Sequence, residues 1–159
     1  MRTRIAVAIA MAVIALSFHY GVRAQTQDHP QSVPAAAEPR SVWDGVYTAE
    51  QARRGGDIYY TQCSTCHGEK LEGVDDAPSL AGKEFLDGWD GRTVGALFEK
   101  MRTKMPRDNP GRLDRQTYLD ATAYILSANQ FPAGQTELPQ DLAPLKLMRI
   151  DAVKPEPKK

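Results

Sequence analysis

The chain has 159 residues, 42% hydrophobic and 25% charged, which suits one soluble domain and excludes a wholly disordered chain. Its 20 basic and 20 acidic residues cancel, so no basic excess points to nucleic acid. Eleven prolines crowd mainly before residue 40 and after residue 130, so the ordered domain is expected to be shorter than the chain.

The N-terminus reads as an export signal spanning residues 1–24. Arg2 and Arg4 precede an unbroken apolar run from Ile5 to Leu16, and Val22-Arg23-Ala24 offers a cleavage site after Ala24. The rival reading is an uncut anchor, but Ile5 to Phe18 is only 14 residues against the roughly 20 that span a bilayer. No cysteine lies near the cut for lipidation. Either reading puts the rest of the chain outside the cytoplasm, in the periplasm. Without the signal, 17 basic residues face 20 acidic ones.

Residues 25–40, rich in Gln, Pro and Ala, read as a flexible leader. The first helix is expected from Thr48 to about Tyr60, opened by a capping box in which Thr48 and Gln51 satisfy free backbone donors reciprocally. Gly55 and Gly56 inside it each cost about 1 kcal/mol against alanine, which calls for the close approach of another helix. The second helix is expected over Thr93–Lys104, with Val94, Leu97, Phe98 and Met101 at helical spacing and Pro106 ending it. The third runs from an N-cap at Asp114 to about Ala128, its stripe formed by Tyr118, Ala121, Ile125 and Ala128. No segment alternates as a strand should. The expected fold is therefore all-α, a domain over residues 41–134 with three main helices and long loops. Residues 135–159 form a proline-rich tail, extended, packed around Leu142–Ile150 and frayed at Lys158 and Lys159.

The two cysteines stand at Cys63 and Cys66, directly before His67. A disulfide closing so short a loop adds little stability. Cys-x-x-Cys-His is the attachment pattern of a c-type haem. Two thiols on one helical turn reach the two vinyl groups of one macrocycle, and the next residue presents an imidazole to the iron. A thioredoxin-like dithiol belongs beside a βαβ pattern, which is missing here, and a zinc site needs four ligands. The other histidines, His19 and His29, fall in the signal and the leader. The expected cofactor is one covalent haem c.

The second axial ligand has several candidates. Met105 lies just past the second helix beside Pro106, far enough from His67 in the chain to reach the other haem face. Met101 sits on the apolar stripe, where core packing is the better reading. Met148 and an open sixth position also remain. A methionine thioether raises the potential and suits electron transfer.

With these residues in place, the chain resembles the class I cytochrome c family over about Gly45–Gly134. Gly55, Tyr59 and the Cys63–His67 motif match the family's first helix. Tyr124 in Ala121-Thr122-Ala123-Tyr124-Ile125-Leu126 matches the aromatic of the last helix, which crosses the first at its glycine. Ala77-Pro78-Ser79-Leu80 is similar to the loop whose proline carbonyl fixes the histidine, so the resemblance implies that role for Pro78 and a haem contact for Leu80. Met105-Pro106 matches the methionine ligand and its proline. Narrower likenesses, including Trp43-Asp44-Gly45-Val46-Tyr47-Thr48 and Phe131-Pro132, resemble small cytochromes that accompany exported quinoprotein-type dehydrogenases.

Trp89 either donates its indole N–H to a haem propionate or packs in the core. Trp43 is expected to cover the start of the first helix. Lys100, Arg102, Lys104, Arg107, Arg112 and Arg115 gather around the methionine loop, as a positive ring that steers an acidic partner or as an ordinary solvated surface. Glu69, Glu72, Asp75 and Asp76 form an acidic patch after the haem motif. The expected function is one-electron transfer with no substrate or catalytic constellation of its own. The partners would be a donor dehydrogenase or membrane complex and a terminal oxidase or other acceptor, with membrane contact only through them or an uncleaved signal. Two alternatives stand beside it. One is a cytochrome subunit embedded in a larger oxidoreductase. The other is a small-ligand-binding haem protein with an open sixth position.

Overall fold

The computed structural model describes residues 38–156. The expected signal, most of the expected leader, and Lys158 and Lys159 lie outside the described residues.

Two 14-residue helices, α1 (Ala49–Gln62) and α5 (Arg115–Ala128), form the frame. Each begins where its cap places it. The Thr48 hydroxyl accepts from the Gln51 amide at 3.1 Å, and the Asp114 carboxylate accepts from the Thr117 amide at 2.9 Å. The expected reciprocal box at α1 is only half formed. The Gln51 side chain is buried and turns away from the cap to accept from the Leu138 amide at 2.8 Å. Burial decided this: a side chain inside the protein serves a buried amide before an exposed one.

α1 and α5 cross at Gly55. A Cβ there would overlap the Asp120 carbonyl oxygen and crowd the Tyr124 Cβ, so only glycine lets the backbones meet. Tyr59 and Tyr124 pack at the same crossing with ring centroids 5.3 Å apart. Beside it, Arg54 grips buried Asp120 through two bonds of 2.8 and 3.0 Å and reaches Glu137 at 2.9 Å. These carboxylate contacts push the Arg54 guanidinium above its ordinary value, the Asp120 hydrogen bond most of all.

α1 breaks at Cys63 and resumes as a single turn, α2 (Ser64–His67), closed by Gly68 at φ +80°. The Tyr59 hydroxyl donates to the Gly68 carbonyl at 2.6 Å and ties that turn back to α1. A long loop leads to α3 (Gly82–Trp89), which the sequence did not suggest. Eight residues are too few for a periodic stripe, and Ala81 supplies no side-chain cap. The cap comes instead from Asn129 at the end of α5, whose Oδ1 accepts from the Gly82 amide at 3.0 Å. α4 (Val94–Lys104) follows, capped by the Thr93 hydroxyl on the Ala96 amide at 3.1 Å.

The tail was expected to be extended. Beyond Gly134 it instead forms α6 (Leu142–Lys146) and ends in a short strand. Leu138, Leu145, Met148 and Ile150 are buried. Two strands, β1 (Arg40–Ser41) and β2 (Met148–Arg149), pair in parallel, Arg40 opposite Met148. Strands of two residues are too short to show alternation. This pairing also places Arg40, the last residue of the expected leader, in a sheet. Trp43, expected to cover the start of α1, donates its indole N–H to the Asp151 carbonyl at 2.8 Å and stands edge-on to Phe131. No described helix is long and apolar enough to cross a membrane.

Candidate functional site

One large cleft, about 1550 Å³ in volume, opens between α2, the loop after it, α3, α4 and the chain around Met105. It exceeds the roughly 300–1,000 Å³ of an ordinary small-molecule pocket. All seven residues singled out as site candidates line it: Cys63, Cys66, His67, Pro78, Leu80, Trp89 and Met105. The break of the helix at Cys63 turns α2 so that the motif faces the cleft.

His67 is 7% exposed. Its Nδ1 lies 2.9 Å from the Pro78 carbonyl oxygen. A carbonyl only accepts, so Nδ1 is the donor to Pro78, which leaves Nε2 as the ring nitrogen available to ligate iron. The loop holding Pro78 is itself secured. Leu80 donates its amide to the Leu71 carbonyl at 2.8 Å, and its carbonyl accepts from the Asn129 side chain at 2.9 Å.

The two cysteines are unpaired, Cys63 half-buried and Cys66 exposed. Burial pushes the Cys63 thiol up to about 11, the reverse of what a nucleophilic redox cysteine requires. Among the described residues no three of His, Cys, Asp and Glu converge as a metal cluster. Among the described residues, then, no further ligands join the motif to complete a zinc site, and burial disfavours the Cys63 thiolate that disulfide exchange would use. A macrocycle fits: two thiols stand on the rim beside one orientable imidazole, above a wall that includes Leu97, Tyr118 and Ile125.

The methionines separate by position. Met105 caps the C-terminus of α4 in an extended conformation, and the Tyr118 hydroxyl donates to its carbonyl at 2.6 Å. Met101 also lines the cleft, but its sulfur lies 3.6 Å from the Thr122 hydroxyl, in the packing between α4 and α5. Met148 is buried in β2, away from the cleft. Trp89 stacks on Phe85 at 6.0 Å, and Arg92 and Lys100 place their cations 5.4 and 5.6 Å from its ring centre.

The sequence reading missed Arg92, Asn129 and Tyr118 as parts of the site. Tyr118 was legible as core and Asn129 as a helix stop, but their hydroxyl and amide act on residues distant in the chain. Arg115, placed with the positive ring, stacks over Phe98 at 4.8 Å and donates to the Gln140 carbonyl.

Residues 50–125 match the family described as cytochrome C oxidase, cbb3-type, subunit III. With the helical frame and the cleft, this match, over just under half of the chain, supports a class I c-type cytochrome domain, of a family whose electron carriers use haem c. No curated protein matches the sequence. Among solved structures, the sulfane dehydrogenase SoxCD from Paracoccus pantotrophus is similar at 20% identity and a TM-score of 0.41, over 55% of this chain. The chain spans about half the length of that one, 52%, and the likeness is too distant to inform function.

Proposed function

We propose that the chain is an exported one-electron carrier with a single haem c, attached through Cys63 and Cys66 and held axially by His67 and Met105. The observation that carries this reading is the shared cleft: the Cys63–His67 motif with its oriented imidazole, and Met105, contribute to it from separate elements. The haem supplies a metal that changes charge by one electron without making or breaking bonds to substrate. The protein's part is to hold it still. Pro78 orients His67, Tyr118 anchors the backbone of Met105, and Leu80 and Trp89 wall the cleft. Met101 is the less suitable ligand because its sulfur belongs to the contact with Thr122. A signal over residues 1–24 would carry the chain to the periplasm, ahead of a domain over 41–134 and a tail over 135–159. There it would take electrons from an exported dehydrogenase or membrane complex and pass them to a terminal oxidase or another acceptor.

The test is spectroscopic, on the full chain matured with its haem. A haem that stays bound under denaturing, acid-extraction conditions supports the thioether bonds. A weak oxidised band from an iron–sulfur bond, lost in Met105→Ala and kept in Met101→Leu, supports Met105 as ligand. The unsubstituted reduced protein is expected not to bind carbon monoxide at neutral pH, and Met105→Ala is expected to bind it. Carbon monoxide binding by the unsubstituted protein would overturn the ligand assignment.

A further inference from the structure

The bond that orients His67 ends on a residue with little hold of its own. Pro78, whose carbonyl accepts from Nδ1 at 2.9 Å, is exposed, and as a proline it has no amide N–H to tie it to the rest of the chain. Gly73 lies against one side of it and donates its amide to the His67 carbonyl at 2.8 Å. The firmer hold comes two residues after Pro78, from the end of α5. Asn129 is 8% exposed and caps that helix. Its carboxamide has one oxygen and two N–H groups, and all three are used. Nδ2 donates to the Leu80 carbonyl at 2.9 Å and to the Ile125 carbonyl at 2.8 Å, while Oδ1 accepts from the Gly82 amide at 3.0 Å. One buried side chain thus fastens the segment on both sides of Ala81 to α5. A buried amide with all its bonds made has a single placement, and so has the segment it holds.

We propose that Asn129 is a positioning residue for the haem iron: by fixing Leu80 and Gly82 it holds the Pro78 carbonyl against Nδ1 of His67, and so helps to set the reduction potential. This rests on the reading of His67 as an axial ligand of a bound haem. A strong bond from Nδ1–H to a fixed carbonyl makes the imidazole a better donor to the metal, which favours the ferric state and lowers the potential. Without Asn129 the Pro78 carbonyl drifts, the bond weakens and the potential rises. The sign separates this role from a simple loosening of α3, whose first amide Asn129 also holds. A loosened α3 admits water to the cleft, which favours the more highly charged ferric iron and lowers the potential.

The experiment uses the full chain with its haem, titrated against redox mediators while its absorption spectrum is followed. Asn129→Ala is expected to raise the ferrous-to-ferric ratio at a fixed applied potential by about three- to tenfold, a rise of roughly 30–60 mV for a one-electron couple. The Nδ1 proton of His67, followed by NMR in the reduced protein, is expected to exchange with solvent about tenfold faster in that variant. Asp114→Ala, which removes a cap at the far end of α5, is expected to move neither readout. An unchanged or lowered potential in Asn129→Ala, or an equal rise in Asp114→Ala, overturns the proposal. A second measurement needs no variant to fold. In the unsubstituted protein the Nδ1 proton and the Gly82 amide, which bonds to Asn129 itself, are expected to exchange through one opening, with the same dependence on dilute urea. A Nδ1 proton that exchanges through a separate, smaller opening overturns the proposal. A chain that takes up no covalent haem overturns the reading on which it rests, whereas a normal haem spectrum with an unmoved potential overturns the role of Asn129 alone.

Discussion

At the scale of single residues, the site depends on hydrogen bonds that reach across the chain. The Tyr118 hydroxyl on the Met105 carbonyl is one. Tyr118→Phe removes that donor without opening a cavity, and the carbonyl lies at a rim where water can replace it. The expected cost is about 1 kcal/mol. In denaturant titrations, the iron–sulfur band of the haem-loaded variant should disappear before helical circular dichroism does. Simultaneous loss at the unsubstituted midpoint would show that Tyr118 does not anchor the ligand loop. Asp114 gives a pH test. Hydrogen bonds from the Thr117 amide and hydroxyl hold its carboxyl below the ordinary range. Because the folded value lies below the unfolded one, near 3.9, the stabilisation is complete above that value and is lost as pH falls through the folded one. Asp114→Ala is expected to cost about 1 kcal/mol at pH 7 and progressively less as pH falls below about 3.9, measured by urea unfolding.

At the scale of elements, the crossing of α1 and α5 turns two adjacent glycines into a controlled comparison. A Cβ on Gly55 collides with the Asp120 carbonyl, whereas one on Gly56 meets only the Tyr124 ring at 3.4 Å. Gly55→Ala is therefore expected to lower stability by about 2–3 kcal/mol or to prevent folding. Gly56→Ala should be neutral or stabilise by up to about 1 kcal/mol, since a helical glycine is replaced where space exists. Equal effects from the two would remove the close approach as the reason for Gly55. Asp120→Asn at the same crossing is expected to cost about 2–3 kcal/mol. That is less than the roughly 3–5 kcal/mol for breaking a fully buried pair, because Arg54 retains solvent and Glu137. The three principal helices were legible because each has a local cap and a stripe. α3 was not, since its cap is Asn129, 47 residues further on.

At the scale of the whole described domain, residues after Gly134 brace the cleft. The Gly91 amide donates to the Ile150 carbonyl and the Ile150 amide to the Arg92 carbonyl, each at 2.8 Å, and Ala152 donates to Asp90 at 2.8 Å. Residues 90–92 continue directly from Trp89, so the tail holds the wall that carries Trp89 and Arg92. Leu145 and Ile150 are fully buried, and each contributes on the order of 1.5–3 kcal/mol by burial. Ile150→Ala is expected to cost about 2–4 kcal/mol, and truncation after Gly134 to leave no cooperative thermal transition. A truncated chain that melts cooperatively near the full-length temperature would show that the tail is dispensable. Composition gave little sign of this role: prolines at 139 and 144 argue locally against regular structure, and the buried side chains find their partners far back in the chain.

The sequence by itself pointed to the proposed haem attachment at Cys63, Cys66 and His67, because attachment to one macrocycle requires those residue types at neighbouring positions. It also determined the need for glycine at 55 and the course of α1, α4 and α5, because caps and stripes act within a few residues. Only the tertiary structure decided that Gln51 leaves its cap for Leu138, that Asn129 starts α3, that Met101 turns toward Thr122 while Tyr118 anchors Met105, and that the tail braces the cleft. Each of those outcomes depends on burial or on a hydrogen bond between distant residues, and spacing along a chain does not record what folding brings together.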